Sequence, residues 1–242
     1  MSQEVKLDEE TDDGRPKYYM DGNDNAIRIM MGREGFVRTS TLKKADYVLF
    51  TGGPDILPLL YGEGINPKTA VSFNRDMKDI SLLRRCKRPM YQSLLGICRG
   101  AQFLNVMVGN GSLYQHVDNH DKGYHDAVDN DGNVIRVSST HHQMMVPGGD
   151  GKVLLKAFES TIFEADTWEM GPFDPKEMDN PECIFYVDHN TLCYQPHPEH
   201  NEPDNKACRT FFFDTIKENL MSGKHERAVK EFKAKLGKRK AA

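Results

Sequence analysis

Apolar and polar positions along this chain fall into two alternating kinds of run. Lys17 to Met20 reads as a first short strand, and Ala45 to Thr51 (ADYVLFT) as a buried strand closed by a Gly52-Gly53-Pro54 loop. Met90 to Ile97 is apolar apart from Gln92 and Ser93, which predicts another strand. Between them, Asp24 or Asn25 caps a helix through Arg33 that Gly35 ends. Asp76 to Lys87 has helical spacing and stops before Pro89. Ala101 to Val108 predicts a helix directly after the strand that ends at Ile97. Beyond Gly109 the pattern shortens. Asp129-Asn130-Asp131-Gly132 is a turn signal between strands at Tyr124–Val128 and Val134–Ser138. Further strands are expected at Val153–Phe158, Cys183–Val187 and Thr191–Gln195, then a helix over Glu202–Met221 with Pro203 near its start.

Strand and helix alternating through the first half predict a parallel sheet, and the strand-rich second half makes it mixed. The expected organisation is a flexible acidic leader at residues 1–16, one domain at 17–222, and a basic helix or tail at 223–242. With 28% charged residues and no apolar run near the roughly 20 residues a membrane helix needs, no membrane span is expected. The polar N-terminus lacks the order of a signal peptide, so a cytoplasmic protein is expected. A net charge of -4 argues against a general nucleic-acid binder. The lysine-rich tail reads as a solvated helix before it reads as a nucleic-acid contact. Five cysteines at irregular spacing make a poor disulfide framework, and no CxxC pair is present. Four of them, Cys86, Cys183, Cys193 and Cys208, read as small buried hydrophobes.

Cys98 differs from the other four. Gly96-Ile97-Cys98-Arg99-Gly100 has the form Gly-x-nucleophile-x-Gly, between a predicted strand and a predicted helix. A nucleophile on such a turn needs glycines two residues either side, because a side chain there would strike neighbouring elements. The following helix points its N-terminus at the sulfur, which favours the thiolate, and the Arg99 amide is placed to donate to an oxyanion. Taken alone, the same pattern also fits a glycine-rich turn around a buried cysteine. A thiolate attacking an amide further needs a proton donor for the leaving nitrogen. Tyr194-Gln195-Pro196-His197-Pro198-Glu199 offers one: in extended backbone, His197 and Glu199 share a face, so the carboxylate can orient the ring.

These segments resemble the class I glutamine amidotransferase superfamily, and within it the gamma-glutamyl hydrolase branch, peptidase family C26, which includes gamma-glutamyl-gamma-aminobutyrate hydrolases. Gly52 to Glu63 is similar to that branch's GGxDxxPxxYGE loop, and Gly96 to Val106 to its GICRGxQxxNV elbow. Gly111-Ser112-Leu113-Tyr114-Gln115 is similar to its GGSLYQ segment, with Asn110 in place of the first glycine. Ser139-Thr140-His141-His142-Gln143 is similar to its SxHHQ loop. The chain departs at Ser138, where the branch has asparagine, at Pro196, where it has an aromatic residue, and before Ala45, where it is shorter. The resemblance implies a flavodoxin-like three-layer α/β sandwich with a mixed, mostly parallel sheet and a β-rich insertion. It implies a gamma-glutamyl thioester on Cys98, with His197 as acid and base and Glu199 as its orienter. The amides of Gly53 and Arg99 would form the oxyanion hole. Gln102 would face the glutamyl group, and the loop holding Ser139, His141, His142 and Gln143 would border its pocket.

No cofactor is expected. The small-molecule partner is a gamma-glutamyl compound. A separate synthetase chain receiving ammonia is the rival reading, and a non-catalytic regulatory protein on the same scaffold is the third. The oligomeric state is open. His116, His120 and His125 lie close in sequence, but no full metal-ligand set accompanies them, so they read as polar loop. Asp21 to Asn25 lacks the glycine and glutamate of a calcium loop and reads as helix capping.

Overall fold

The structure, a computed structural model, describes residues 14–86, 92–117, 120–121, 123–157 and 180–221. The acidic leader up to residue 13, Lys87, Met90, Tyr91, Phe158 and the basic tail from residue 222 lie outside the described residues.

Among the described residues there are four α-helices: α1 (Asn25–Arg33), α2 (Phe73–Arg85), α3 (Arg99–Met107) and α4 (Lys206–Ile216). The strands are β1 (Lys17–Met20), β2 (Val37–Arg38), β3 (Tyr47–Phe50), β4 (Ser93–Ile97), β5 (Ser112–Tyr114) and β6 (Tyr124–Asp129). After them come β7 (Val134–Ser138), β8 (Met144–Val146), β9 (Gly151–Ala157), β10 (Pro181–Tyr186) and β11 (Thr191–Tyr194). Nine of them form one sheet in the order β2-β1-β3-β4-β11-β10-β9-β6-β7, and β5 pairs with β8 separately. The first five run parallel and the remaining pairings are antiparallel. This is the flavodoxin-like α/β class with a mixed sheet and a β-rich addition.

The all-apolar strands of the first half follow from this layering. In β3, Tyr47 and Leu49 pack on one face, against Met30 and Met31 of α1 and Phe213 of α4. Val48 and Phe50 pack on the other, with Leu82 and Leu83 of α2 and Phe103 and Leu104 of α3. Both faces are covered, so no polar alternation survives. The β6–β7 hairpin lies at the sheet edge and does alternate, with Ile135 and Val137 inward and Val134 and Arg136 exposed.

Several boundaries differ from the sequence pattern. Helix α2 begins at Phe73, three residues before the expected Asp76, although Phe73 is exposed. The expected helix over Glu202–Met221 breaks into a 3-10 turn (Pro203–Asn205), α4 and a π turn (Lys217–Met221). The 3-10 turn buries Asn205, whose amide donates to the carbonyls of His197 and His200 at 2.7 and 3.0 Å. Strands β2, β5 and β8 are two or three residues long, too short for periodicity to show.

Candidate active site

Three adjacent parallel strands, β3, β4 and β11, end side by side, with Phe50 opposite Gly96 and Tyr194 opposite Ile97. The chain leaving β3 is the Gly52-Gly53 loop, that leaving β4 is Cys98, and that leaving β11 carries His197. The crevice at the carboxyl ends of such strands is the usual site in open α/β sheets. Sheet register is what gathers residues that are far apart in sequence.

Cys98 sits at φ 50°, ψ −116°, a left-handed conformation that a non-glycine residue adopts at a cost of about 1–3 kcal/mol. Its amide donates to the Tyr194 carbonyl at 2.9 Å, and its carbonyl accepts from Gln102 N–H at 3.1 Å, which hold the turn. The flanking glycines are sterically required. A Cβ on Gly96 would stand 2.6 Å from the Ala101 backbone, and one on Gly100 2.1 Å from the Phe50 carbonyl oxygen. The sulfur's residue is 8% exposed, at the N-terminus of α3.

His197 is placed against it. A Cβ on Gly52 would meet His197 Cε1 at 3.1 Å and Cys98 Cβ at 4.0 Å, so the loop, the ring and the cysteine are in mutual contact. The ring's Nδ1 lies 2.7 Å from Glu199 Oε1, and the ring is a hydrogen-bond partner of the Cys98 side chain. Burial lowers the imidazole's affinity for a proton, but the hydrogen bonds and charges of Cys98 and Glu199 outweigh it and push the pKa up to about 10. At neutral pH the ring is an imidazolium beside the sulfur.

The backbone of His197 is fixed as firmly as its ring. Its N–H donates to Ser138 Oγ at 2.7 Å, and its carbonyl accepts from Asn205. Ser138, one of the departures from the family pattern, therefore holds the segment that carries the imidazole.

Arg99 begins α3, so its amide lies next to the nucleophile, while its side chain turns away into the interior. The guanidinium is 1% exposed and pairs with Asp76 and Asp79, and its Nε donates to the Pro54 carbonyl at 3.1 Å. Arg75 bridges Asp79 at 3.1 Å and donates to the carbonyls of Thr51 and Gly52 at 2.9 and 3.1 Å. Together these four charged residues clamp the Thr51–Pro54 loop. Gly53 lies at φ 154°, and a Cβ there would press on the Arg75 guanidinium, 3.0 Å from Nη1. Sequence reading did not find this clamp. Only the spacing of Arg75, Asp76 and Asp79 on one helical face could have suggested it.

The remaining candidates are less open. Gln102 is buried and donates to Gln195 Oε1 at 3.2 Å. Ser139 is buried, with Oγ donating to the His120 carbonyl at 2.7 Å. Gln143 and His141 also turn inward, and His141 Nδ1 lies 2.8 Å from the Gln143 carbonyl. Of the four candidates in that loop, His142 is the partly exposed one. Its Nε2 pairs with Asp55 Oδ2 at 3.1 Å, and that hydrogen bond raises its pKa despite burial. The shared motifs also bind one another: Glu63 accepts from Ser112 Oγ at 2.9 Å and from Gln115 Nε2 at 3.1 Å. A groove of about 910 Å³ between the β6–β7 hairpin and α4 contains none of Cys98, His197 or Glu199. Its size does not bear on the chemistry, which needs a nucleophile and a proton donor.

The peptidase C26 family model matches residues 23–167. The glutamine amidotransferase-like protein YvdE of Lactococcus lactis subsp. lactis is 39% identical over 75 residues, 31% of this chain and 31% of that protein. Aligned stretches of this kind take in about a third of the curated relatives' length. Among solved structures, PurLQS from Thermotoga maritima superposes with a TM-score of 0.54 at 16% identity, covering 84% of this chain and 100% of that one. A glutamine amidotransferase from the same organism gives 0.53 at 13% identity, over 91% and 93%. At such identities the likeness speaks to the fold. Among the described residues, no helix is long and apolar enough to cross a membrane.

Proposed function

The chain belongs to the peptidase C26 family of the class I glutamine amidotransferase-like superfamily, and on that premise we propose that it hydrolyses a gamma-glutamyl amide through a thioester on Cys98. The observation that carries this reading is the His197 ring held between the Cys98 side chain and Glu199 Oε1.

In the proposed reaction the Cys98 sulfur attacks the gamma-carbonyl carbon and a C–S bond forms. The carbonyl oxygen takes the negative charge and accepts from the amides of Gly53 and Arg99. His197 hands its proton to the leaving nitrogen as the C–N bond breaks. Water then attacks the thioester, its proton passing to His197, and the C–S bond breaks to release glutamate and the thiolate. Glu199 keeps the ring in the orientation both steps need. All five cysteines are free thiols, which supports a reducing, cytoplasmic setting.

The test is glutamate release by the free chain from glutamine and a panel of gamma-glutamyl amines. Release that Cys98→Ser abolishes is the expected result. Silence alone, with ammonia produced once a synthetase chain is added, would favour the glutaminase-subunit reading. No turnover in either setting, with Cys98 resistant to alkylation, would overturn both in favour of a regulatory role.

A further inference from the structure

A second cluster lies behind the loop that carries Ser139 and His141. Glu182, on β10, is fully buried, and among the described residues its ion-pair partners are three imidazoles. His120 Nδ1, His125 Nε2 and His141 Nε2 stand 3.5, 2.9 and 3.7 Å from Glu182 Oε1. We propose that His120, His125, His141 and Glu182 form a tetrahedral Zn²⁺ site that staples three segments of the fold.

Three observations carry this. First, the spacings suit a shared ion. Zinc holds imidazole nitrogens at about 2.0–2.1 Å and carboxylate oxygens at about 2.0–2.2 Å, which sets ligand atoms roughly 3.4 Å apart along the edges of a tetrahedron. The donor atoms of His120, His141 and Glu182 all lie within 4.8 Å of one another, and His125 adjoins this trio through Nε2 at 2.9 Å from Glu182 Oε1 and a ring centroid 4.8 Å from that of His120. Second, among the described residues only imidazoles face the buried Glu182 carboxylate. Both Glu182 oxygens, His125 Nε2 and His141 Nε2 are buried without an aligned partner. Third, the His141 tautomer is set from outside. A carbonyl only accepts, so Nδ1 carries the hydrogen that reaches Gln143 O at 2.8 Å. That leaves Nε2 as the ring atom turned to the Glu182 carboxylate, 3.7 Å from Oε1. A cation between them would be ligated by both, and the outer carbonyl is the partner that orients a ligating imidazole. Three imidazoles and one carboxylate, with no vacant position, are the closed set of a structural site rather than a catalytic one.

The staple would join His120 and the start of β6 at His125, the loop at His141 and strand β10. Ser139 Oγ and His141 N–H already donate to the His120 carbonyl, at 2.7 and 2.8 Å. The Glu182 carbonyl accepts from Gln195 N–H at 2.8 Å, two residues before His197. Loss of the ion would loosen the segment that carries the imidazole. The proposal does not depend on the amidase reading.

The experiment is Co²⁺ titration of the full chain after chelation, read by visible absorption, with metal analysis of the protein as purified. The expected result is one equivalent of Co²⁺ with the intense band of a tetrahedral site, displaced by Zn²⁺, and a higher Tm for the loaded protein. Glu182→Gln should lose the band. His125→Gln alters the least buried ligand and should weaken Co²⁺ binding at least about tenfold even if the first variant does not fold. A wild-type chain that shows only the weak spectrum of octahedral Co²⁺, or a band unchanged in the folded variants, would overturn the proposal.

Discussion

Replacing Asp79 by Asn tests whether the clamp behind the Gly52-Gly53 loop matters as much as its burial implies. Asp79 is 4% exposed and joins two guanidiniums, Arg99 in the interior and Arg75 nearer the surface. Burial pulls the Arg99 pKa down, with Asp79 opposing it, and pushes the Asp76 pKa up, with Arg99 opposing it. Both groups have lost hydration that their pairing only partly offsets. Removing one partner of a buried pair costs about 3–5 kcal/mol when the other charge is left alone. Here Asp76 still faces Arg99, and Arg75 is partly solvated, so roughly 2–3 kcal/mol is expected. For a domain of this size each kcal/mol moves Tm by about 2–4 °C, so Tm should fall by roughly 4–12 °C. The loop carbonyls of Thr51, Gly52 and Pro54 would keep their arginines but lose the fixed angle between them. Turnover should therefore fall by about tenfold or more, with a smaller change in KM, because an oxyanion donor acts mainly in the transition state. Calorimetry and steady-state kinetics read both. A variant within 2 °C of wild type and within about twofold in kcat would refute the idea that Asp79 shapes this loop.

Three other outcomes follow from the same geometry. Ser138→Ala leaves the His197 N–H without its acceptor and should cost about 1–3 kcal/mol, read by urea denaturation, with activity recovered better by threonine than by alanine. Gly100→Ala drives a methyl into the Phe50 carbonyl and should destabilise by more than about 4 kcal/mol or abolish soluble expression, whereas an unchanged Tm would show the elbow is looser than described. The His197 pKa is raised from 6.5 to about 10, so its stabilising contribution is complete below pH 6.5 and disappears as pH climbs through about 10. The urea midpoint should decline across that window, and His197→Asn should flatten the decline.

The elbow and the His-Pro-Glu segment were legible because their requirements are local. Two glycines flank a nucleophile for steric reasons, and an i, i+2 pair shares a face whatever the rest of the chain does. Strands β1, β3, β4 and β11 were legible because burial on one or both faces writes itself into apolar runs. The clamp was not, since Arg75, Asp76, Asp79 and Arg99 meet only once α2 and α3 pack on the same face of the sheet. Glu182 was hidden for a related reason: a glutamate just ahead of the apolar run Cys183–Val187 looks like a solvent-facing position until three histidines from elsewhere surround it. His120 and His125 were visible as neighbours, but their fourth and third companions lie far along the chain. Ser138 drew notice only as a substitution, and its hold on His197 depends on strand β7 reaching the end of β11.

The account turns on a covalent intermediate, and acid-quenched intact-mass analysis with peptide mapping during turnover of a gamma-glutamyl substrate looks for it directly. It predicts a glutamyl group on the peptide containing Cys98 and on no other cysteine, absent in Cys98→Ser. Substrate consumed with Cys98 unmodified throughout, or at an undiminished rate by Cys98→Ser, would contradict it.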